Sequence, residues 1–270
     1  MIDIANLFGL NGRIALVTGG SRGIGRMIVE GFLTAGCERI YITARKADQL
    51  EETASQLGSK VVPVTGDIST LEGITALVGE LESHEQRLDI LVNNAGAAWG
   101  ASFESFPESG WDKVVDLNLK TPFFLTQKLH TLLKAGASGT NPAKVINIAS
   151  VDGLRLNPWE TYPYQASKAG LIHLTRRMAA RLIADNIVMN GIAPGAFPSE
   201  MNKAARDAAE LVARAVPAGR VGVAEDMAAA AIFLASRAGD YVVGSTIPVD
   251  GGIVDANAAV GFGDPSGAAG

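Results

Sequence analysis

Residues 13–26 read Arg-Ile-Ala-Leu-Val-Thr-Gly-Gly-Ser-Arg-Gly-Ile-Gly-Arg, and the fold of the chain follows from them. Ile14 to Val17 is a short apolar run without alternation, which is typical of a strand buried on both faces of a parallel sheet. Apolar residues then recur at Ile24, Ile28 and Phe32, the spacing of one face of a helix. The stretch therefore predicts a strand, a glycine-rich turn and a helix, in that order.

The turn between this strand and helix has the composition of a phosphate-binding loop. It contains Gly19, Gly20, Gly23 and Gly25. Glycine permits positive φ angles and lets an anion approach bare backbone N–H groups, and the helix N-terminus adds partial positive charge. The spacing Gly19-x-x-x-Gly23-x-Gly25 differs from the common G-x-G-x-x-G fingerprint. On the glycines alone, a tight turn that binds nothing is an alternative.

The bulk composition indicates a well-filled α/β domain. The chain has 270 residues, of which 47% are hydrophobic and 19% charged, so it is not a disordered chain. Its net charge is −5 and it has no basic block, so we expect neither nucleic acid nor an anionic membrane as a partner. Cys37 is the only cysteine, which excludes an internal disulfide and favours a cytoplasmic location. The N-terminus does not match a secretory signal, and no apolar run approaches the ~20 residues of a membrane span.

Strand and helix patterns alternate along the rest of the chain. They predict further strands at 39–43, 61–65, 89–92, 144–149, 187–192 and 246–249, and long helices at 107–133, kinked by Pro122, and at 163–183. Pro63 cannot donate to a ladder and so belongs on an edge strand, the position of the third strand in the order 3-2-1-4-5-6. We expect an α/β fold: a single Rossmann domain over residues 1–253, with a doubly wound parallel seven-stranded sheet and helices on both faces. Residues 254–270 are predicted to form a loose tail.

Four polar residues have the chemistry of an acid/base site. Tyr164 and Lys168 lie four apart on one predicted helix face, and a neighbouring cation favours the phenolate of a tyrosine that otherwise ionises at about pH 10. Ser150 ends the predicted fifth strand, at the edge where open α/β sheets bind ligands. Asn118 lies inside a predicted helix, where asparagine is a poor helix former. Taken singly, each has a simpler explanation: a surface Tyr–Lys pair, a turn serine and a helix-surface asparagine.

Together these residues resemble the short-chain dehydrogenase/reductase family, in particular its 3-oxoacyl-carrier-protein reductase-like branch with the rhamnolipid-type β-ketoacyl reductases. The resemblance covers roughly residues 8–253. Its motifs occur in the family's order: Thr18-Gly-Gly-Ser-Arg-Gly-Ile-Gly25, Asp67, Asn93-Asn-Ala-Gly96, Asn118, Ser150, Tyr164-x-x-x-Lys168, Pro194-Gly195 and Asp250-Gly-Gly252.

The resemblance implies a role for each of the four polar residues. Tyr164 would protonate the carbonyl oxygen while NADPH delivers hydride, or act as the base in the reverse direction. Ser150 would hydrogen-bond the same oxygen. Lys168 would bind the nicotinamide ribose and lower the pKa of Tyr164, and Asn118 would hold a water that connects Lys168 to solvent. No metal ion is implied.

The resemblance also implies a cofactor site for NADP(H). Its members would be Gly19, Ser21, Arg22, Gly23, Ile24, Gly25, Arg45, Asp67, Ile68, Asn94, Ala95, Gly96, Tyr164, Lys168, Pro194, Gly195, Phe197 and Ser199. The chain departs from the family pattern in two places. Ser199 replaces the family's usual threonine after an additional Pro198, and Tyr162 is a second tyrosine that lacks the four-residue spacing to Lys168.

The end of the predicted second strand favours NADP over NAD. An NAD enzyme of this fold usually carries an acidic residue there, but the chain has none between Ile40 and Arg45. In the family, Arg22 and Arg45 border the adenosine ribose, and arginine suits a 2′-phosphate through its planar, permanently charged fork. The alternative is that both are solvated surface arginines.

The substrate class rests on apolar residues in the two segments that overhang the site in this family, 151–162 and 196–216. These are Leu154, Leu156, Trp159, Phe197 and Met201, and Trp99 follows the Asn-Asn-Ala-Gly turn. They favour an apolar acyl or ring substrate; alternatively, they only pack the lid. Lys203, Arg206 and Arg214 recur at helical spacings and would suit an acidic carrier protein or simply form a solvated helix face.

We therefore expect reversible NADPH-dependent reduction of a β-ketoacyl thioester or hydrophobic ketone to a secondary alcohol. The alternatives are an NAD(P)-dependent sugar or polyol dehydrogenase and a non-catalytic dinucleotide-binding sensor. A sensor usually lacks the tyrosine or the lysine, and both are present here. The family is commonly tetrameric, and the predicted helices at 107–133 and 163–183 permit a homotetramer.

Overall fold

A computed structural model describes residues 2–256 and confirms the doubly wound parallel sheet. The strand order is β3-β2-β1-β4-β5-β6-β7. The strands are β1 (Ile14–Thr18), β2 (Arg39–Ala44), β3 (Val61–Thr65), β4 (Ile90–Asn93), β5 (Ala143–Ile148), β6 (Ile187–Pro194) and β7 (Thr246–Val249). Pro63 lies in the edge strand, as predicted. The predicted tail from residue 254 lies, apart from residues 254–256, outside the described residues.

Helices connect the strands and cover the sheet. They are α1 (Ile4–Phe8), α2 (Gly23–Thr34), α3 (Ala47–Leu57), α4 (Leu71–His84), α5 (Glu108–Val115), α6 (Thr121–Lys128), α7 (His130–Gly136), α8 (Tyr162–Leu182), α9 (Lys203–Asp207), α10 (Ala209–Ala213) and α11 (Ala224–Ala235). The long helix expected at 163–183 is α8, displaced by one residue at each end. Within residues 2–256 no helix combines the length and apolar character needed to cross a membrane.

The segment predicted as one helix over 107–133 is helical over most of its length, but it is not one uninterrupted α-helix. A π-helical turn, Asp116–Lys120, separates α5 from α6, and Leu129 separates α6 from α7. Pro122 lies directly after the π-helical turn, in the first turn of α6, and the kink expected there stays a prediction. The apolar periodicity continues through these breaks, so the pattern alone did not reveal them.

The two faces of the sheet pack against two helical layers. Side chains of a strand alternate between faces. Ala15 and Val17 therefore join the cluster that contains residues of α2 and α11, while Ile14 and Leu16 join the cluster that contains residues of α4 and α6. This double burial explains why β1 is continuously apolar. Because all strands are parallel, their carboxyl ends meet along one edge of the sheet, where the polar motif residues lie.

Candidate active site

At the start of α2, the glycine turn presents backbone N–H groups that have no acceptor within the helix. Gly19 and Gly23 have φ angles of +66° and +52°, values that favour glycine. A Cβ on Gly25 would come within 2.2 Å of the Gly19 carbonyl oxygen, so only glycine fits there. Arg22, the N-cap residue, makes no capping hydrogen bond with its side chain. The turn therefore fits the pyrophosphate of a dinucleotide, which such N–H groups bind well.

Thr18 and Asn94 hold the glycine turn to the end of β4. The Thr18 hydroxyl accepts hydrogen bonds from the backbone N–H groups of Asn94 and Ala95, both at 2.9 Å. The Asn94 side chain donates to the Thr18 carbonyl oxygen at 2.7 Å and to that of Gly19 at 3.3 Å. Thr18 opens the glycine motif of the family, but the sequence did not predict that its hydroxyl accepts these two hydrogen bonds.

Asn118 lies in the π-helical turn and is buried. Its Oδ1 accepts from the Ala97 N–H at 2.8 Å, and its Nδ2 donates to the Ala97 carbonyl oxygen at 2.9 Å and to Ser167 Oγ at 3.1 Å. Both amide donors and one oxygen lone pair are thus used, which leaves one lone pair for a water. A Cβ on Gly96 would lie 3.1 Å from Asn118 Oδ1 and 3.7 Å from Lys168 Nζ, so the glycine keeps the space between these groups open.

The first half of α8 brings Tyr164 and Lys168 to the end of β5, beside Ser150. Lys168 Nζ donates to the Ile148 carbonyl oxygen at 2.7 Å and lies 5.8 Å from the centroid of the Tyr164 ring. Ser150 is buried two residues beyond that carbonyl, and its Oγ accepts from the Asp152 N–H at 3.1 Å. Hydroxyl, phenol and ammonium therefore lie together at the carboxyl edge of the sheet.

Burial dominates the ionisation of this group. It raises the pKa of Tyr164 to about 12, although the hydrogen bond with Ser150 lowers it. Burial also lowers the pKa of Lys168 to about 8. Burial therefore sets the net direction of the Tyr164 pKa in this structure, and the lowering by Lys168 that the resemblance implies stays a prediction. At neutral pH Tyr164 holds its proton and Lys168 is charged.

Tyr162 points to a different part of the molecule. Its hydroxyl donates to Glu160 Oε1 at 3.0 Å, and its ring makes edge-to-face contacts with Phe103 and Phe106, at centroid distances of 5.7 and 5.8 Å. The geometry favours Tyr164 over Tyr162 as the residue that faces the Ser150 hydroxyl.

Arg45 and Asp67 follow β2 and β3, next to each other at the sheet edge. Arg45 Nη1 lies 3.9 Å from Asp67 Oδ2, and both side chains are exposed. Partial burial raises the pKa of Asp67, but hydrogen bonds from Ser69 and the charge of Arg45 lower it overall. Ile68 is buried beside them, and its carbonyl oxygen accepts from Thr121 Oγ1 at 2.7 Å.

Ser21 and Arg22 complete the side of the site formed by the glycine turn. Ser21 is buried, and its carbonyl oxygen accepts from Thr53 Oγ1 of α3 at 3.0 Å. The side chain of Arg22 is exposed. The turn is therefore anchored to α3, the helix that Arg45 precedes.

The segment after β6 closes the site on the other side. The Gly195 N–H donates to the Val249 carbonyl oxygen at 3.0 Å, which fixes the Pro194-Gly195 turn against β7. A Cβ on Gly23 would lie 3.2 Å from Ser199 Cβ, so Ser199 adjoins the glycine turn despite Pro198. The ring of Phe197 is buried in the core against Gly222. The expectation that this ring lines the lid is wrong, and only its backbone is left for a ligand.

The two overhanging segments expose large apolar side chains. Leu156, Trp159 and Met201 are 88%, 67% and 51% exposed, and Leu154 is also exposed. Trp99 instead packs on Gly110 of α5, with Lys113 Nζ 5.1 Å from the ring. The predicted basic helix face is two short helices, α9 and α10, and Arg206 is paired with Glu200 and Asp207. This pairing offsets one of the three positive charges expected there, those of Lys203, Arg206 and Arg214.

A buried polar chain beneath the site was not anticipated. Asn93 Nδ2 of β4 donates to Asn147 Oδ1 of β5 at 2.8 Å, and Asn147 Nδ2 donates to Thr175 Oγ1 of α8 at 2.8 Å. The chain ties two strands to the helix that carries Tyr164 and Lys168. Its signal in the sequence was an asparagine in each of two mainly apolar strands. Among the described residues, no three His, Cys, Asp or Glu side chains are grouped so that they could hold a metal ion.

The chain is similar to known proteins in both sequence and architecture. A family model described as enoyl-(acyl carrier protein) reductase matches residues 19–254. The rhamnolipids biosynthesis 3-oxoacyl-[acyl-carrier-protein] reductase of Pseudomonas aeruginosa is 48% identical over 250 residues, covering 91% of this chain and 97% of the relative. A 2-dehydro-3-deoxy-D-gluconate 5-dehydrogenase of Dickeya dadantii is 36% identical over 257 residues, covering 92% and 98%.

The solved structures show the same relationship. The Pseudomonas aeruginosa RhlG/NADP active-site complex matches with a TM-score of 0.88 and 47% identity, covering 92% of this chain and 98% of that chain. The family match, the identity and the shared sheet agree along nearly the whole chain. The chain therefore belongs to the short-chain dehydrogenase/reductase family of oxidoreductases.

Proposed function

We propose that this protein reduces a hydrophobic ketone or a β-ketoacyl thioester to a secondary alcohol with NADPH, reversibly. The observation that carries the proposal is the meeting of Ser150, Tyr164 and Lys168 at the carboxyl end of β5. The glycine turn faces the same edge of the sheet, which supports a dinucleotide beside these three residues.

The three side chains have different roles in the reduction of the carbonyl group. Tyr164, protonated at neutral pH, donates its proton to that oxygen, and Ser150 donates a hydrogen bond to it. The charged Lys168 stabilises the phenolate that remains and binds a ribose hydroxyl. NADPH supplies the hydride that reaches the carbonyl carbon. Asn118 contributes its free lone pair to a water that returns a proton towards Lys168.

NADP is supported as the cofactor by the adenosine side of the site. The proposed phosphate ligands are the N–H groups of Gly23, Ile24 and Gly25, and the guanidinium groups of Arg22 and Arg45 for the 2′-phosphate. Asp67, Ile68, Asn94, Ala95, Gly96, Pro194 and Ser199 would complete the contacts. The related RhlG structure is an NADP complex, which agrees with this choice.

The exposed Leu154, Leu156, Trp159 and Met201 favour an apolar substrate over a sugar acid. A sugar or polyol dehydrogenase is the second candidate, because the Dickeya dadantii relative acts on a deoxygluconate. An acyl carrier protein is less well supported, since Arg206 is already paired with carboxylates.

We also propose that the enzyme is a cytoplasmic homotetramer. A mainly apolar groove runs between the π-helical turn, α6 and α8 and suits a second copy of the chain. Its lining consists of Leu119, Phe123, Phe124, Gly170 and Leu174 together with Lys120, His173 and Arg177. The lone Cys37 is a free buried thiol, compatible with a reducing compartment.

A substrate panel tests the proposal. β-Ketoacyl thioesters of increasing chain length, simple hydrophobic ketones and keto-gluconates are offered with NADPH, and its oxidation is followed by absorbance. We expect kcat/KM to rise with chain length for the thioesters or ketones. Turnover of keto-gluconates alone would support the second candidate, and NADPH binding without any turnover would support the sensor.

A further inference from the structure

Glu160 joins two segments of the chain that border the active site. Its Oε1 accepts a hydrogen bond from the backbone N–H of Phe103 at 3.0 Å and from the hydroxyl of Tyr162 at 3.0 Å. Its backbone carbonyl oxygen accepts from the Ala101 N–H at 3.3 Å. One residue thus bonds to residues 101 and 103 on one side and to the first residue of α8 on the other.

Aromatic contacts reinforce this connection. The Tyr162 ring meets the rings of Phe103 and Phe106 edge to face, the geometry in which aromatic pairs attract. A Cβ on Gly100 would lie 3.6 Å from the Glu160 carbonyl oxygen, so the two segments also approach closely through their backbones. We call the contacts of Glu160 and Tyr162 with residues 100–106 the entrance latch.

The segment 97–106, which contains the latched residues 100–106, is held at both ends by groups of the site. At its start, Ala97 exchanges two hydrogen bonds with the side chain of Asn118. At its end, the latch fixes it to the turn of α8 that also carries Tyr164. The side chain of Phe103 is 72% exposed, so the latch keeps a large apolar surface at the side of the site. Leu156 and Trp159, on the segment that leads into Glu160, add to that surface.

We propose that Glu160 is a positioning residue that sets the preference for long apolar substrates. This proposal rests on the proposed ketone reduction. The carboxylate holds residues 100–106 against α8. It thereby keeps the rings of Phe103, Phe106 and Tyr162 in place for contact with the distal part of an acyl chain. It does not touch the reacting carbonyl. Loss of the latch should therefore weaken the binding of long substrates and leave the chemistry at Tyr164 unchanged.

Amide hydrogen exchange tests the latch without any need for activity. In Glu160→Ala, exchange at residues 101–106 should accelerate about three- to tenfold, the effect expected for hydrogen bonds at a partly solvated site. Glu160→Gln keeps an acceptor oxygen and should exchange close to the wild-type rate. Glu104→Ala removes a neighbouring carboxylate from the same segment and serves as the matched control. Equal exchange in Glu160→Ala and the control would overturn the latch.

Kinetics then test its role. In Glu160→Ala, KM for a ten-carbon ketone or thioester should rise about three- to tenfold, while KM for a four-carbon one and kcat for both stay within twofold. Glu160→Gln should restore the long-chain KM, a rescue that general destabilisation would not give. Equal changes for long and short substrates would overturn the specificity role. If the wild type reduced no ketone at all, the proposed function and the chain-length role would fall together, while the exchange rates would still decide the latch.

Discussion

Arg45→Asp should reverse the preference of the enzyme from NADPH to NADH. Arg45 directly follows β2, its side chain is 65% exposed, and its Nη1 is 3.9 Å from Asp67 Oδ2. An exposed pair at this distance contributes little, so the guanidinium is available to a 2′-phosphate. A hydrogen bond to a charged group contributes ~1.5–3 kcal/mol, and solvent exposure places Arg45 at the lower end, or about tenfold in affinity.

The substitution also adds a repulsion. Aspartate at position 45 would place a second carboxylate next to Asp67, and both would face the 2′-phosphate. We therefore expect kcat/KM for NADPH to fall by more than about tenfold, while kcat/KM for NADH stays the same or rises. The difference should shrink at high salt, because the site is exposed.

Steady-state kinetics with both cofactors at two ionic strengths provide the assay. Lys60→Asp is the control. It makes the same charge change just before β3, at the amino ends of the strands and away from the carboxyl ends where the site lies. A wild-type enzyme that prefers NADH, or an Arg45→Asp enzyme that still strongly favours NADPH, would refute the reasoning.

Three further perturbations test other parts of the structure. Lys168→Met should weaken NADPH binding and turnover. Because burial lowers the pKa of Lys168 to about 8, the rate of ketone reduction by the wild type should decline above about pH 8. The Met variant should not show this decline. Identical pH–rate profiles would mean that deprotonation of Lys168 does not cause it. Asn147→Leu removes two buried hydrogen bonds, which leaves Asn93 Nδ2 only its 3.3 Å contact with Thr126 Oγ1 and Thr175 Oγ1 only its bond to the Leu171 carbonyl oxygen. It should cost ~1–3 kcal/mol in urea unfolding, and an unchanged midpoint would show that the polar chain contributes nothing. Asp185 accepts hydrogen bonds from Lys134, Arg181 and His130, which lower its pKa below the ordinary value of 3.8. Its contribution to stability is therefore present above about pH 4 and is lost as the pH falls through the lowered pKa. Asp185→Asn should reduce Tm at pH 7 more than at pH 3, and equal losses at both would contradict this.

The parts of the fold that could be predicted are those that leave a local pattern in the sequence, such as an apolar run, a helical periodicity or a proline. A buried parallel strand needs a continuous apolar run, and a helix next to it needs a 3.6-residue stripe, so β1 and α2 were evident from residues 13–34. Pro63 identified the edge strand because proline lacks an N–H. The break at the π-helical turn left no such mark, since Leu117, Leu125 and Leu129 keep an apolar pattern through it.

The site was predictable in its members but not in its energetics. The spacing of Tyr164 and Lys168 placed them on one helix face, yet burial, which raises the pKa of Tyr164, is a property of the folded chain. The burial of the Phe197 ring depends on Gly222, 25 residues later in the chain. The entrance latch joins Glu160 to Phe103, more than 50 positions away, and no local sequence pattern predicts such a contact.

Proton transfer by Tyr164 is the central claim, and Tyr164→Phe tests it most directly. The phenylalanine variant keeps the ring but loses the hydroxyl, and Tyr162→Phe is the matched control on the same helix. We measure NADPH binding by fluorescence and ketone reduction under single-turnover conditions. Tyr164→Phe should bind NADPH nearly as the wild type does and lose ~10²–10⁴-fold in the reduction rate, while Tyr162→Phe retains the rate. A near-wild-type rate in Tyr164→Phe, or a comparable loss in Tyr162→Phe, would contradict the account.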